Sequence, residues 1–417
     1  MVPFIIIWML FSPILGIPWL CLGLYLSRNK KKINKGYAVP FAILFGTFGY
    51  SMRFIGEPDL MRYYAMIEGM QGQTLLFIMS RNRDRLYLRD VLFYFVSKTG
   101  NNNILAYIVG FFCYLIIFYV FFDTVNHYKT EFKHNSSIHI FWIGLIMVSV
   151  IEPMLIISNV RCVFSYILVS FAAYREWIQK KRNWFTILLY ILPIGLHTST
   201  VIVVITRLGV PIFKKYSKKF VLVVFFVPIL IRMAYEIFRR IEISHIAFQY
   251  IRNAVNKAYY FLNWTEGGWA DEVENSLSNR VLRIYGTFFL IMIIIFYHVI
   301  KKNKIEVLNE KFNNFLYIIA ILALGTLSIK TGVFWRFEAI VVVFSPFILL
   351  PVAAYGGKNH RVMLFVLYLS AGIMLAVNLV HMCRNMIMDE LLVEYISTST
   401  FKIIWEFLRG IKSIAGI

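Results

Sequence analysis

The sequence predicts an all-α integral membrane protein, a polytopic helical bundle of about 11–13 transmembrane spans. Hydrophobic residues make up 59% of the 417 positions, whereas a soluble domain averages about 45–50%. The mean hydropathy is +0.68. Apolar runs of about 18 residues or more recur from end to end, each long enough to cross a hydrocarbon layer of roughly 30 Å. We therefore expect a single membrane domain over residues 1–417.

The net charge of +21 is explained by membrane topology. Most lysines lie in short clusters between apolar runs, as the positive-inside rule requires of cytoplasmic loops. No folded basic domain is present to bind nucleic acid, so we expect no nucleic-acid partner. The four cysteines are scattered in or beside apolar segments, which indicates neither a disulfide framework nor a zinc site.

The first half of the chain alternates between the two faces of the membrane. A retained first span at residues 3–26 ends in the densest basic loop, residues 28–35, which places the N-terminus outside. A second span at residues 37–53 leads to an outer segment, residues 54–100, with a short amphipathic or re-entrant helix at 89–97. Further spans are predicted at residues 101–122, 138–157 and 162–177.

Residues 184–213 form an apolar run that Pro193, Gly195 and His197 interrupt. Basic loops are predicted on either side, at residues 180–182 and 214–219. If both loops are cytoplasmic, this run enters the membrane and returns as two half-helices or a tilted pair. Broken backbone at membrane depth is tolerated where it lines a cavity. The alternative is a single tilted span, which reverses the topology that follows.

The second half contains the longest polar segment, residues 239–280, which we interpret as a periplasmic loop. In this loop Trp264 and Trp269 either stack on sugar rings or anchor the loop at the interface. The amphipathic tail at residues 383–417 is expected along the outer interface. The remaining spans are predicted at residues 220–238, 281–300, 314–329, 337–355 and 361–381.

Residues 53–63 place two arginines and two carboxylates at the outer surface. Such a cluster is costly beside lipid unless its charges pair or face water. Residues 53–89 contain arginines and no lysine, whereas the inner loops are lysine-rich. Because a guanidinium binds phosphate or carboxylate through two parallel hydrogen bonds, Arg53 and Arg62 are candidates for anion recognition. The alternative is an interfacial loop whose ions pair with one another and with lipid headgroups.

Other charged residues lie at helix ends or within apolar runs. Arg161 follows a tight turn and opens an apolar helix, where it either faces a cavity or snorkels to the surface. His197 is either a base or phosphate donor, or a hydrogen-bonded structural residue. Lys330 and Arg336 flank a short aromatic outer turn, which is either functional or part of an aromatic belt. No second histidine or acid lies three or four positions from His197, so we expect no metal site.

Short motifs along the chain resemble those of a known family. The residues are Arg53, Gly56, Asp59 and Tyr63; Asn159 and Arg161; His197 and Ser199; and Trp335, Arg336 and Phe337, followed by an apolar helix with Pro351. In order and topology, the chain resembles the EpsG-like group of Wzy-type O-antigen and exopolysaccharide polymerases over most of its length. The resemblance implies a GT-C-like glycosyltransferase in the bacterial inner membrane, without a cofactor.

Such polymerases join oligosaccharide repeat units carried on undecaprenyl pyrophosphate, at the periplasmic face, into O-antigen, capsule or exopolysaccharide. The resemblance also implies the bilayer, a chain-length regulator and a flippase as partners. The alternatives are a lipid-linked oligosaccharide flippase or other carrier, and an O-antigen ligase-like transferase. We find no internal repeat of the kind common in carriers, and the long outer loop favours an enzyme.

The implied reaction moves the growing chain from its lipid pyrophosphate to a hydroxyl of the next unit, with inversion. Without a metal, arginines must neutralise the leaving group, so we expect Arg161 and Arg336 at the pyrophosphate. Arg53 and Lys330 support them. Either His197 or Asp59 is the base, with His197 preferred. The other predicted substrate-binding residues are Arg62, Tyr63, Ser199, Trp264, Trp269 and Trp335.

Overall fold

The computed structural model describes residues 1–28, 30–55, 59–81, 86–132, 136–240, 277–328 and 331–415, together with residues 252, 255, 256 and 259. Within these residues every regular element is a helix, and the sole extended pairing is an isolated bridge between Phe54 and Met386. The predicted all-α architecture is confirmed.

The helices are numbered in chain order across the described residues. They are α1 (Val2–Phe11), α2 (Pro13–Ser27), α3 (Ala38–Ser51), α4 (Asp59–Glu68), α5 (Leu75–Arg81), α6 (Tyr87–Ser97), α7 (Asn103–Tyr128), α8 (Ser136–Ser149), α9 (Pro153–Ser158), α10 (Cys162–Trp177), α11 (Trp184–Ile191), α12 (Thr200–Arg240), α13 (Leu277–Lys302), α14 (Glu310–Gly325), α15 (Thr331–Phe344), α16 (Pro346–Tyr355), α17 (Lys358–Asn385), α18 (Met388–Ser397) and α19 (Thr400–Ala415). Short 3₁₀ turns cover Lys35–Tyr37, Leu192–Gly195 and Thr326–Ser328.

Three stretches in the described part of the chain are long and apolar enough to cross a membrane unbroken: Asn103–Glu131, Arg280–Lys302 and Asn359–Asn385. A fourth span is possible through α15 and α16, which are bent by 45° at Ser345. Pro346 begins α16 and lacks the N–H that would continue the helical bonding, which accounts for the bend. Most of the other predicted spans are present as shorter or broken helices.

The predicted first span at residues 3–26 is instead an antiparallel helix pair, α1 and α2. Ser12 is extended and separates the two helices. A Cβ atom on Gly23 would lie 2.9 Å from Ile5 Cδ1, so the end of α2 packs on the start of α1. Val2 lies beside Gly36, next to the basic loop, whereas the predicted topology put them at opposite faces. This part of the predicted topology was wrong.

The break predicted within residues 184–213 is confirmed. Helix α11 ends at Ile191, a 3₁₀ turn follows, and α12 begins at Thr200, so that His197 lies in the connection. The predicted loop at residues 214–219 was wrong, because α12 continues without interruption for 41 residues, or about 60 Å. Lysine has a high helix propensity and does not by itself end a helix.

Helices α3 and α7 pack closely at the centre of the bundle. A Cβ atom on Gly110 would lie 2.7 Å from the carbonyl oxygen of Phe45, so glycine allows the two backbones to approach. Phe45 stacks on Tyr114 with ring centres 3.7 Å apart. The contact holds α3 against α7, and α3 leads into the segment at residues 53–63.

The C-terminal helices α18 and α19 pack against the N-terminal part of the chain. The hydroxyls of Ser399 and Thr400 donate to the carbonyl oxygens of Leu10 and Met9 at 3.0 and 3.1 Å. These carbonyls belong to the last turn of α1, where the break at Ser12 removes helical donors. The tail thus satisfies backbone groups that the broken first helix leaves open.

Candidate functional site

Four segments that are distant in sequence meet at the start of α10. They are the amphipathic helix α4, the turn between α9 and α10, the connection between α11 and α12, and the start of α15. The turn after α9 ends at Arg161, which directly precedes α10. Together the segments bring five of the predicted site residues into one cluster: Tyr63, Arg161, His197, Ser199 and Arg336.

Arg161 is held by an aromatic side chain of α4. Its Nε donates to the hydroxyl of Tyr63 at 3.0 Å, and its guanidinium carbon lies 5.0 Å from the centre of the same ring. Tyr63 is 4% exposed, because Leu60, Tyr63 and Ile67 share the buried face of α4. The ring of Tyr63 also packs against Phe93, with centres 5.7 Å apart. Arg161 is therefore positioned by a rigid ring rather than by a carboxylate.

The phenol of Tyr63 stays neutral in this setting. Burial raises the pKa of its hydroxyl, and the Arg161 guanidinium opposes that rise only in part. A tyrosine whose pKa is raised above its usual value near 10 is protonated at neutral pH. The hydrogen bond from Arg161 consequently leaves the positive charge of the guanidinium uncompensated.

Arg336 adds a second cation to the same cluster. Its guanidinium lies close enough to Asp59, Tyr63 and Tyr166 to interact with them electrostatically. The Nε atom is buried and has no hydrogen-bond partner among the described residues. In that part of the chain neither Arg161 nor Arg336 forms an ion pair with a carboxylate. Two positive charges thus lie in one cluster, and their guanidinium groups keep N–H donors that no carboxylate of the described residues occupies. This arrangement suits an anion.

A chain of hydrogen bonds leads from α10 to His197. The Tyr166 hydroxyl lies 2.8 Å from Ser199 Oγ, which lies 2.5 Å from His197 Nδ1. The backbone N–H of Ser199 also donates to Nδ1 at 3.3 Å, so this nitrogen is an acceptor and can take a proton. Thr200 begins α12 and donates to Ser165 Oγ at 2.8 Å, which ties the connection to α10.

Asp59 and Arg62 lie together on α4. Asp59 begins the helix, where a negative charge is favourable, and its carboxylate pairs with Arg62 at 3.5 Å. The Arg62 side chain is 56% exposed and that of Asp59 is 32% exposed. Asp59 therefore contacts solvent and also interacts electrostatically with Arg336, whereas Arg62 lies at the exposed edge of the cluster.

Arg53 makes its contacts elsewhere in the fold. Its guanidinium pairs with Glu394 of α18 and donates to the carbonyl oxygens of Tyr50 and Met52 at 3.2 and 2.9 Å. The backbone of Arg53 also accepts from Ile387 N–H at 3.0 Å. In the described residues Arg53 thus joins the C-terminal helices to α3, rather than joining Arg161 and Arg336.

Trp335 faces a second polar cluster that the sequence did not single out. It lines a cavity of about 10 Å³, room for about one water, together with Glu152 and Glu338. Glu152 Oε2 lies within hydrogen-bond distance of His381 Nδ1, at 2.8 Å, and both side chains are buried. Glu338 is 1% exposed, and its Oε1 has no partner in the described part of the chain. Carboxylates and a histidine within apolar runs were the signal available for this cluster.

Three predicted site residues, Trp264, Trp269 and Lys330, lie outside the described residues. Among the residues that are described, no group of three or more histidine, cysteine, aspartate or glutamate side chains is arranged to hold a metal ion.

Comparison with known proteins identifies one family. The model of the EpsG family matches residues 36–397, which include every motif from Arg53 to Pro351. No curated protein and no solved structure matches the chain. A match over most of the chain indicates a membrane protein of the polysaccharide polymerase type.

Proposed function

The chain belongs to the EpsG family, and from this we propose that it joins lipid-linked oligosaccharide repeat units into O-antigen, capsule or exopolysaccharide. The donor and acceptor are each carried on undecaprenyl pyrophosphate, and the reaction takes place at the periplasmic face of a bacterial inner membrane. The growing chain leaves its pyrophosphate and forms a glycosidic bond to a hydroxyl of the next unit.

The observation that carries this proposal is the pair of arginines, Arg161 and Arg336. Both lie beside the neutral phenol of Tyr63, without a carboxylate ion pair in the described residues. A pyrophosphate leaving group gains negative charge as the glycosidic bond breaks. Fixed guanidinium groups stabilise such developing charge without reorganising at the moment of reaction. In this mechanism the two arginines supply the positive charge that the leaving group needs.

The acceptor hydroxyl requires a base, and the hydrogen-bonded chain at His197 offers one. The hydroxyl of Ser199 takes the proton of the attacking sugar hydroxyl while its own proton moves to His197 Nδ1, 2.5 Å away. The sugar oxygen then attacks the anomeric carbon opposite the pyrophosphate, and the configuration inverts. Asp59 is the alternative base, since its partly exposed carboxylate lies near Arg336.

The test uses the purified protein in vesicles with lipid-pyrophosphate-linked repeat units, resolved on a gel. A ladder of products supports a polymerase. Transport of the unit across the vesicle without a ladder contradicts it and supports a flippase, while transfer of one finished chain to another acceptor supports a ligase. A chelator added to the same assay tests the role of the arginines, because loss of the ladder would mean that a metal carries the leaving-group charge.

A further inference from the structure

A cavity of about 710 Å³ lies between α10, α12 and α14, far from the arginine cluster. Its lining includes Glu176, which follows Arg161 by about four helical turns along α10, or about 22 Å. The segments around it are lysine-rich, as in Lys180–Arg182 and Lys301–Lys311, which the positive-inside rule assigns to the cytoplasm. The volume is within the range of about 300–1,000 Å³ that ligand pockets occupy.

The two carboxylates that line this cavity are already paired with cations. Glu176 accepts from Arg207 Nε at 3.0 Å and through a second guanidinium nitrogen of the same residue. Arg182 also approaches Glu176, at 3.3 Å. Glu310 pairs with Lys301. The negative charge of the lining is therefore neutralised by these contacts.

Two lysines of the lining remain without such contacts. Lys180 and Lys311 are exposed, and neither side chain forms an ion pair or hydrogen bond with the described residues. Asn309 and Asn314 also line the cavity, and their amide oxygens already accept from Phe312 N–H and the Tyr297 hydroxyl. The lining of the cavity thus includes two unpaired positive charges, which suits an anion.

The same cavity also has an apolar part to its lining. Trp177 of α10 contributes to it, together with Val210 and Pro211 of α12. Pro211 is exposed, and Leu208, three residues before it on the same face of α12, is 57% exposed. Large apolar side chains exposed on a membrane helix face acyl chains. A ligand in this cavity therefore meets both the unpaired lysines and an apolar surface that continues onto the exposed face of α12.

We propose that this cavity binds the phosphate group of an anionic lipid, held between Lys180 and Lys311 with its apolar part along Val210 and Pro211. Basic pockets between membrane helices at the cytoplasmic face bind anionic headgroups by this combination of charge and apolar surface. A soluble phosphate compound carries the same anionic group, but it has no apolar part to contact Val210 and Pro211.

Native mass spectrometry of the full chain in detergent tests the site, with phosphatidylglycerol, zwitterionic phosphatidylcholine and soluble glycerol 3-phosphate as probes. The test variant is Lys180→Asn with Lys311→Gln. Asparagine is neutral and tolerates the φ of 55° that Lys180 adopts. The matched control is Lys31→Gln with Lys32→Gln, which removes two exposed lysines from the other basic loop. Elution as a single sharp species on gel filtration confirms that each variant is folded.

The native chain is expected to bind phosphatidylglycerol more tightly than phosphatidylcholine. The Lys180/Lys311 variant should bind it about 25-fold more weakly, at about 5-fold for each lysine, while the control changes less than twofold. Equal binding by the native chain and the test variant, or equal loss in both variants, would overturn the site. If glycerol 3-phosphate binds as tightly as the lipid and the test variant loses it, the phosphate site stands and its ligand is the soluble compound.

Discussion

Arg161 and Tyr63 are joined twice, by a 3.0 Å hydrogen bond from Nε to the phenol oxygen and by the packing of the guanidinium over the ring. The contact holds the guanidinium against a rigid aromatic ring, which sets the direction of the two terminal nitrogens of Arg161. It also keeps the charge of the guanidinium, since the neutral phenol accepts a hydrogen bond without cancelling it. This geometry prepares Arg161 to bind an anion through two parallel bonds.

The variant Arg161→Lys is expected to lower the rate of polymerisation about 100-fold. Lysine keeps the positive charge, but it loses the planar fork and the hydrogen bond to Tyr63. The rate is measured as the appearance of products longer than the starting unit. Arg81→Lys is the matched control, because Arg81 is an exposed arginine at the end of α5 that packs over Phe77 at 4.3 Å. Full activity of Arg161→Lys would exclude the bidentate role.

Tyr63→Phe is expected to lower kcat/KM about 10-fold, the effect of losing one hydrogen bond to a charged group. The ring and its packing on Phe93 are kept, so the fold is unaffected. Combined with Arg161→Lys, the loss should be no greater than that of Arg161→Lys alone, because both changes remove the same contact. Additive losses in the double variant would show that Tyr63 acts independently, for example by binding sugar.

His197→Gln and Ser199→Ala are expected to cause similar losses in kcat, each about 10²–10⁴-fold. In the proposed mechanism both residues lie on one proton path, so the double variant should be no slower than either single variant. Asp59→Asn should cause a smaller loss. A large loss in Asp59→Asn together with an active Ser199→Ala would identify Asp59 as the base.

The sequence motifs predicted the composition of the arginine cluster, although its residues come from four separate segments. They did not predict the position of Arg53 or Trp335. Arg53 pairs with Glu394, and Trp335 lines a cavity with Glu152, and both carboxylates come from parts of the chain without a recognisable motif. A local pattern states which residue types are present, whereas pairing between distant segments depends on the tertiary fold.

The topology errors have a similar origin. An apolar run has the same composition whether it crosses the membrane once or folds back on itself, so hydropathy cannot distinguish α1 and α2 from one span. The available signal was Ser12 before Pro13, because a residue before proline is disfavoured in helical conformation.

The buried pair of Glu152 and His381 is expected to stabilise the fold. Glu152→Ala leaves the imidazole of His381 buried without its partner, and the expected cost is about 3–5 kcal/mol of the free energy of unfolding. The measurement is the shift of the unfolding midpoint in mild detergent. Glu152→Ala combined with His381→Leu should recover part of the loss, because no polar group is then left unpaired. A double variant as unstable as the sum of the single variants would contradict the pairing.

Gly286 allows Glu338 to occupy its buried position between α13 and α15. A Cβ atom at Gly286 would overlap Glu338 Oε1, so alanine there must displace the carboxyl group. We expect Gly286→Ala to destabilise the protein by about 1–3 kcal/mol, the usual effect of overpacking a core. Gly357→Ala is the control, since no atom of the described residues lies within 4 Å of the place its Cβ would take, and its φ is −68°.

A second pair of variants tests whether the effect at Gly286 is steric. Adding Glu338→Ala to Gly286→Ala should restore part of the stability by removing the clash, whereas Glu338→Gln, which keeps the same volume, should not. Equal stability of the Gln and Ala double variants would contradict the steric role of Gly286.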